Sequence, residues 1–505
     1  MLHSIKYLFL FFPLFLQAQH PVAVEAALKK AGTNRSELEK ALQYSNKTGD
    51  SLKIKAMQFL IANMDIHSSS DYYWENVTGK KITYNELDYP DFEQAKTAFE
   101  AIKEKNPGLK PKPIIYKDIE VITADYLIQN MEKAFVAWHS SAIKNISFDD
   151  FCEYILPYRV SEEPLQNWRA VYADKFKWIN EQIPSKGFKT VMYSLKDDYI
   201  FWFTNTWNAP RKEPLPRLGA LQLLFRKEGP CPDLADLGVF TLRSQGIPAA
   251  VNVIPFWATS TGGHFMNSFF DNSMKVFNCD FGSKYFNENL EREPAKVLRM
   301  TYSKQPQTLA SFEDKNNIPV GFLQQQNYID VTKDYWGTTD VKCPLYTSTT
   351  ASKIVFATTF NGLSWRPFWW GKVENGQTLF SSICKGTVLL PQYYSNGKFI
   401  PAGAPVIVGN KNEEPKVLLP DLTQTRDVVI AEKDGYLRFK LGVIYKLFYW
   451  NNGWKLIETR GVTSAVESML FTKVPKNALL LFLASDSKGL ERPFIIDDTN
   501  ERTWF

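Results

Sequence analysis

The sequence predicts a multidomain α+β protein, with a helical N-terminal region, an α+β core and two C-terminal β-sandwich domains. Three observations predict it. At roughly 100 to 200 residues per domain, 505 residues make about three domains, each long enough to bury a core. Apolar residues recur at helical spacing through roughly the first third of the chain. Beyond Ile329, short runs rich in Val, Ile, Phe and Tyr are separated by turn dipeptides. Hydrophobic residues are 44% and charged residues 22%, an ordinary globular composition that excludes disorder, collagen-like repeats and coiled coil. The 59 Lys plus Arg against 54 Asp plus Glu give a net charge of +5, too dilute for the basic footprint of a nucleic-acid binder.

Residues 1–18 read as a signal peptide: Lys6 supplies the positive start, Tyr7 to Leu16 the apolar run, and Ala18 a small residue before a cut ahead of Gln19. Export to the periplasm or the extracellular space is the expectation. A spanning helix needs about 20 apolar residues, so no membrane span is expected after the signal is removed.

Residues 19–145 form the helical region. Asn34 opens one helix as an N-cap, Leu52, Ala56, Phe59, Leu60 and Met64 mark a second, and Tyr126, Ile128, Met131, Phe135 and Trp138 a third. Residues 146–325 mix helical and strand signals. The turns Asn361-Gly362, Asn375-Gly376, Asn396-Gly397, Asp434-Gly435 and Asn452-Gly453 predict hairpins, hence β-sandwich domains over 326–425 and 426–505, divided after the polar tract Asn410 to Pro415.

The chemistry concentrates between Gly229 and Asp280. Proline and acid after Cys231, the apolar positions Leu234, Leu237 and Phe240, then Gly246 and Pro248, are the start and stop signals of one helix. Cys231 falls at its N-terminus, where the helix dipole favours thiolate over thiol. Ala249 to Ile254, Phe265 to Phe270 and Met274 to Cys279 read as strands. A hairpin loop of Asp271 to Ser273 would pair residues whose numbers sum to 544, with His264 directly opposite Asp280 and their Cβ atoms about 5 Å apart. A loop one residue different would send Asp280 to the other face. Cysteine nucleophile, imidazole base and orienting carboxylate make a Cys-His-Asp arrangement for acyl transfer.

The segments Gly229-Pro-Cys231-Pro-Asp-Leu, Arg243-Ser-Gln-Gly-Ile-Pro248, Gly262-Gly-His264-Phe-Met-Asn and Val276-Phe-Asn-Cys-Asp280 resemble the transglutaminase-like superfamily. Ser147 to Arg159 and Lys446 to Trp454 extend the likeness to its exported bacterial members. The resemblance implies a papain-like α+β core, Cys231 as nucleophile, His264 as general base and acid, and Asp280 as orienter. It implies a peptide, protein or glycopeptide substrate, hydrolysed or passed to an amine, with no metal and no organic cofactor. Phe265 stands where the family often has Trp, and Pro232 deletes a backbone N–H beside the nucleophile. The oxyanion donors read from the residues are Cys231 N–H with Gln222, Trp207 or Trp257.

Competing readings stand beside these. Cys231 and Cys279 could be a disulfide, and Asn278 is an alternative orienter. Cys152, Cys343 and Cys384 read as buried fillers, and His67 and His139 as structural. Asp233 and Asp236 read as first-turn acids serving the helix dipole rather than a glycosidase pair. The cluster Trp365, Pro367, Phe368, Trp369 and Trp370 reads as sandwich core or as a sugar-stacking platform. The alternative function is therefore an inactive scaffold that binds extracellular glycan or peptide through its β-domains.

Overall fold

The computed structural model of the protein describes residues 20–206, 217–281, 290–346, 352–410, 413–434 and 437–505. The expected leader, Trp207, Gly435 and part of the 410–415 tract lie outside the described residues. Those described form a mixed structure of twelve α-helices and mainly antiparallel sheets. No helix among them is long and apolar enough to cross a membrane.

The N-terminal region packs the helices Val22–Lys30, Arg35–Lys47, Ser51–Asn63 and Ala124–Ser140. Asp50 and Thr123 cap the last two with side-chain oxygens, satisfying N–H groups that have no acceptor within the helix. Asn34 does not cap as expected; its Nδ2 donates instead to Ile119 O and Ile122 O. A three-stranded antiparallel sheet, in the order Lys81–Ile82, Ser68–Glu75, Lys110–Lys117, interrupts the helical pattern. Its Ser-Ser-Ser-Asp and Lys-Pro-Lys-Pro stretches are poor strand formers, and what holds them is pairing between segments far apart in sequence.

One apolar core runs from Val24 to Tyr302, so these helices and the α+β core fold as one body. A buried ion pair fastens them. Arg159 grips Asp118 through Nε at 2.6 Å and Nη2 at 2.7 Å, and Arg243 Nη1 donates to Arg159 O at 2.8 Å. The centre is the helix Cys231–Ser244 against a five-stranded antiparallel sheet. The strand order is Tyr328–Asp330, Leu298–Met300, Ala249–Ile254, His264–Phe270, Val276–Cys279. This core does not stop at 325: Tyr328–Asp330 is its edge strand, and Tyr335 OH bonds Ser268 Oγ at 3.1 Å.

The first C-terminal domain differs from the expected sandwich. Its strands, from Thr338–Pro344 to Lys416–Val417, make one eight-stranded sheet. Val341, Val355, Phe380, Leu389 and Val406, from five different strands, share one core, so the sheet curls over itself, with bulges after Thr339 and Ala357. The last domain has two sheets, Asp421–Ala431 with Ser468–Lys476, and five strands from Ile444 to Trp504, around a second core. Residue 425 lies inside the strand Asp421–Ala431, which follows the strand Lys416–Val417.

Candidate active site

Cys231 is the first residue of its helix, Pro232 follows it, and Gly246 lies just past the far end with φ of +68°. Asp233 and Leu234 N–H both donate to Pro230 O, and Pro232 has no N–H. That leaves Cys231 N–H as the first-turn donor without an acceptor inside the helix. The thiol is half-buried.

His264 begins its strand and Asp280 follows the end of the next. The strands are antiparallel, so both groups lie at the same end of the sheet, and His264 Nε2 is 2.7 Å from Asp280 Oδ2. A carboxylate only accepts, so Nε2 carries the proton and Nδ1 is the nitrogen left for sulfur. The Cys231 side chain is near enough to act on the charge of the ring. Burial lowers the ring's basicity, yet the Asp280 bond and the Cys231 contact outweigh it, and the pKa is raised to about 10. The side chains of His264 and Asp280 stay 18% and 20% exposed.

The register differs from the expectation. Asn267 pairs with Cys279 and Phe270 with Val276, so paired numbers sum to 546. The loop is 272–274, closed by Asp271 N–H donating to Lys275 O at 3.2 Å, with Met274 left-handed at φ of 54°. A shift of two in that sum preserves parity. Asp280 is therefore diagonal to His264 rather than opposite it, on the same face.

Asn278, the alternative orienter, is engaged elsewhere, accepting from Tyr335 OH. All five cysteines are free, so the Cys231–Cys279 disulfide is absent. Cys152, Cys279, Cys343 and Cys384 are buried, and burial pushes the thiols of Cys152 and Cys343 up to about 12. His67 is buried, stacked on Tyr302. Trp257 stacks on the His264 ring with centroids 5.9 Å apart. Gln222 serves as a cap, its Oε1 accepting from Gly219 N–H at 2.7 Å.

Asp233 sits in the first turn as expected, but Asp236 does not. It is buried on the inner side of the helix, accepts from Ser161 Oγ at 2.6 Å and lies 3.7 Å from Arg217 Nη1. Burial, opposed by Arg217, pushes its pKa up to about 7.

The aromatic cluster packs against neighbouring rings and a lysine. Trp365 meets Trp450 edge-on at 5.5 Å, and Phe360 meets Trp454 at 5.6 Å, joining the two C-terminal domains. Trp369 covers the buried Lys296 ammonium at 4.1 Å and Trp370 meets Phe312.

Two further residues near the site hold its parts together. Asn267 Nδ2 donates to Ala235 O at 2.8 Å, fixing the His264 strand to the Cys231 helix. Lys196 Nζ donates to Asp280 O at 3.3 Å. A lysine among the buried positions Met192, Leu195 and Tyr199 of its helix was the signal available for it.

A separate cavity of about 760 Å³ lies between the N-terminal region and the sheet, lined by Arg159, Arg217, Arg243, Val253 and Phe265 among others. Cys231, His264 and Asp280 are not in its wall. Its buried Arg159 is neutralised by Asp118, and Arg243 is spent on backbone carbonyls. Among the described residues, no group of three or more His, Cys, Asp or Glu side chains could hold a metal ion.

No family model and no curated protein matches the chain. Among solved structures it is similar to red sea bream transglutaminase, at 11% sequence identity and a TM-score of 0.19, over 86% of this chain and 76% of that one.

Proposed function

We propose that the chain is an exported, transglutaminase-like thiol acyl-transfer enzyme. The observation that carries this reading is the His264 ring, held by Asp280 at 2.7 Å on one nitrogen, with Cys231 at the start of the helix packed on the same sheet. A proton on the ring at neutral pH stabilises a thiolate beside it, and the helix start adds to that.

In the proposed reaction Cys231 Sγ attacks the carbonyl carbon of an amide. Cys231 N–H donates to the developing oxyanion, and His264 gives its proton to the leaving amine as the C–N bond breaks. Water, deprotonated by His264, then attacks the thioester carbonyl and releases the acid with regeneration of the thiol. An amine in place of water gives a new amide. Substrates of peptide, protein or glycopeptide type fit this chemistry. Trp365 is taken up in the joint between the C-terminal domains, which weakens the binding-scaffold alternative.

Alkylation by iodoacetamide at about pH 6 tests the reading, because an ordinary thiol, with pKa near 8.5, reacts slowly there. Fast modification of one thiol, lost in Cys231→Ala and slowed in His264→Ala, is expected. Slow labelling of the wild type at that pH contradicts it.

A further inference from the structure

We infer that Asn361, in the first C-terminal domain, is a positioning residue for the His264 imidazole, acting through the loop that precedes it; this rests on the acyl-transfer reading above. Asn361 does not form the turn that the Asn-Gly dipeptide suggested. It ends a strand, paired with Ser364, while Gly362 and Leu363 make the turn with φ of 59° each. The Asn361 side chain is thereby free to cross the domain boundary. Its Nδ2 donates to Ser260 O at 2.7 Å, Trp257 O at 3.0 Å and Gly262 O at 3.0 Å, and its Oδ1 accepts from Gly262 N–H at 3.1 Å.

A carboxamide carries two N–H donors and an acceptor, so this contact uses both sides of the group on one loop. Aspartate keeps the acceptor but turns a carboxylate oxygen toward three carbonyls. Alanine removes this partner from Ser260 O, Trp257 O and the Gly262 N–H, while Gly262 O keeps the Trp257 N–H. Asn361 is only 6% exposed, so water does not readily take its place.

Trp257 and His264 stand at the two ends of the loop that Asn361 grips. Trp257 stacks on the imidazole, and its own N–H donates to Gly262 O at 2.9 Å. Gly263, just before His264, lies so close to Ile254 O and Pro255 O that a Cβ would come within 2.4 Å and 2.6 Å of them. The loop's other side is fixed by Ala258 N–H on Glu293 O and by Thr259 Oγ1 on Glu293 Oε2. Without Asn361 the His264 strand stays in its sheet, but the loop that carries the stacked indole loses the carboxamide tying it to the β-domain. The β-domain is then part of the catalytic apparatus rather than an appended module.

The test uses the full chain and measures Cys231 alkylation by mass spectrometry from about pH 5 to about pH 9, alongside a thermal melt. Asn361→Ala and Asn361→Asp are expected to slow alkylation at low pH by roughly tenfold or more. Thr358→Val is the control. It breaks buried bonds to Leu390 O and Gln392 Oε1 in the same strand without touching the loop, so it lowers the melt and leaves the profile unchanged. Should Asn361→Ala fail to melt cooperatively, Asn361→Asp, which keeps the size and the acceptor, reads the same quantity. A wild-type profile in a folded Asn361 variant, or an equal shift in Thr358→Val, overturns the inference while leaving the acyl-transfer reading intact. A wild type with no reactivity at low pH contradicts both.

Discussion

Cys231 stands half-buried at the first turn of a helix beside an imidazole, whereas Cys152, Cys279, Cys343 and Cys384 are buried. The contrast is sharpest between Cys231 and Cys279. Cys279 precedes Asp280 directly, yet strand alternation turns it to the opposite face, and burial holds its thiol well above the ordinary range. Nearness in sequence to the carboxylate confers nothing. What matters is which end of which element presents the sulfur, and which charged form its neighbours favour.

The largest expected effect breaks that contrast outright. In native protein at about pH 6, iodoacetamide should label Cys231 at least roughly a hundredfold faster than any of the other four, with peptide mapping as the readout. Equal labelling of Cys279 would remove the distinction between the two environments. Asp280→Asn comes next. It keeps the shape but offers the ring no carboxylate, so labelling of Cys231 should slow by roughly tenfold, as when a proton-transfer partner is mispositioned. An unchanged rate would mean that Asp280 does not act on the ring.

Trp450→Ala separates site from scaffold. It removes a buried ring that meets both Trp365 and Trp454, so it should cost about 3–5 kcal/mol in chemical denaturation and leave Cys231 labelling alone. Sugar binding lost with Trp365 while stability held would restore the platform reading.

The smallest effect compares two histidines through the pH dependence of the melt. The folded pKa of His264 is raised from 6.5 to about 10, so its contribution is complete below 6.5 and is lost as pH rises through about 10. Burial, only partly opposed by Asp118, lowers His67 from 6.5 to about 4, so its contribution holds above 6.5 and is lost as pH falls toward 4. The melting temperature should therefore fall on both sides of neutral pH. His264→Gln should flatten the alkaline side alone.

Much of the site was legible because short-range chemistry writes it. Proline, acid and glycine around the Cys231 helix mark its two ends, and the parity of the hairpin puts His264 and Asp280 on one face even though the pairing sum was off by two. Met274 caused that error, since a methionine gives no sign that it will take a left-handed turn position. The long-range features were less readable. The Tyr328–Asp330 strand joins the core by pairing with Leu298–Met300 across an intervening loop, and no local pattern announces such a partner. The curled eight-stranded sheet and the sandwich it was mistaken for share hairpins and alternation, and differ only in which strands meet. Asn361 was hidden by its own dipeptide, which reads as a turn, and the Trp365 cluster by an aromatic density that serves a domain joint as well as a ligand.

The most direct measurement is an NMR titration of the His264 ring in the wild type and in Cys231→Ala. A wild-type pKa near 10, lowered when the sulfur is removed although Asp280 still holds the ring, is the result expected of an imidazole placed between Asp280 and Cys231. A ring that titrates near 6.5 in both proteins would contradict it.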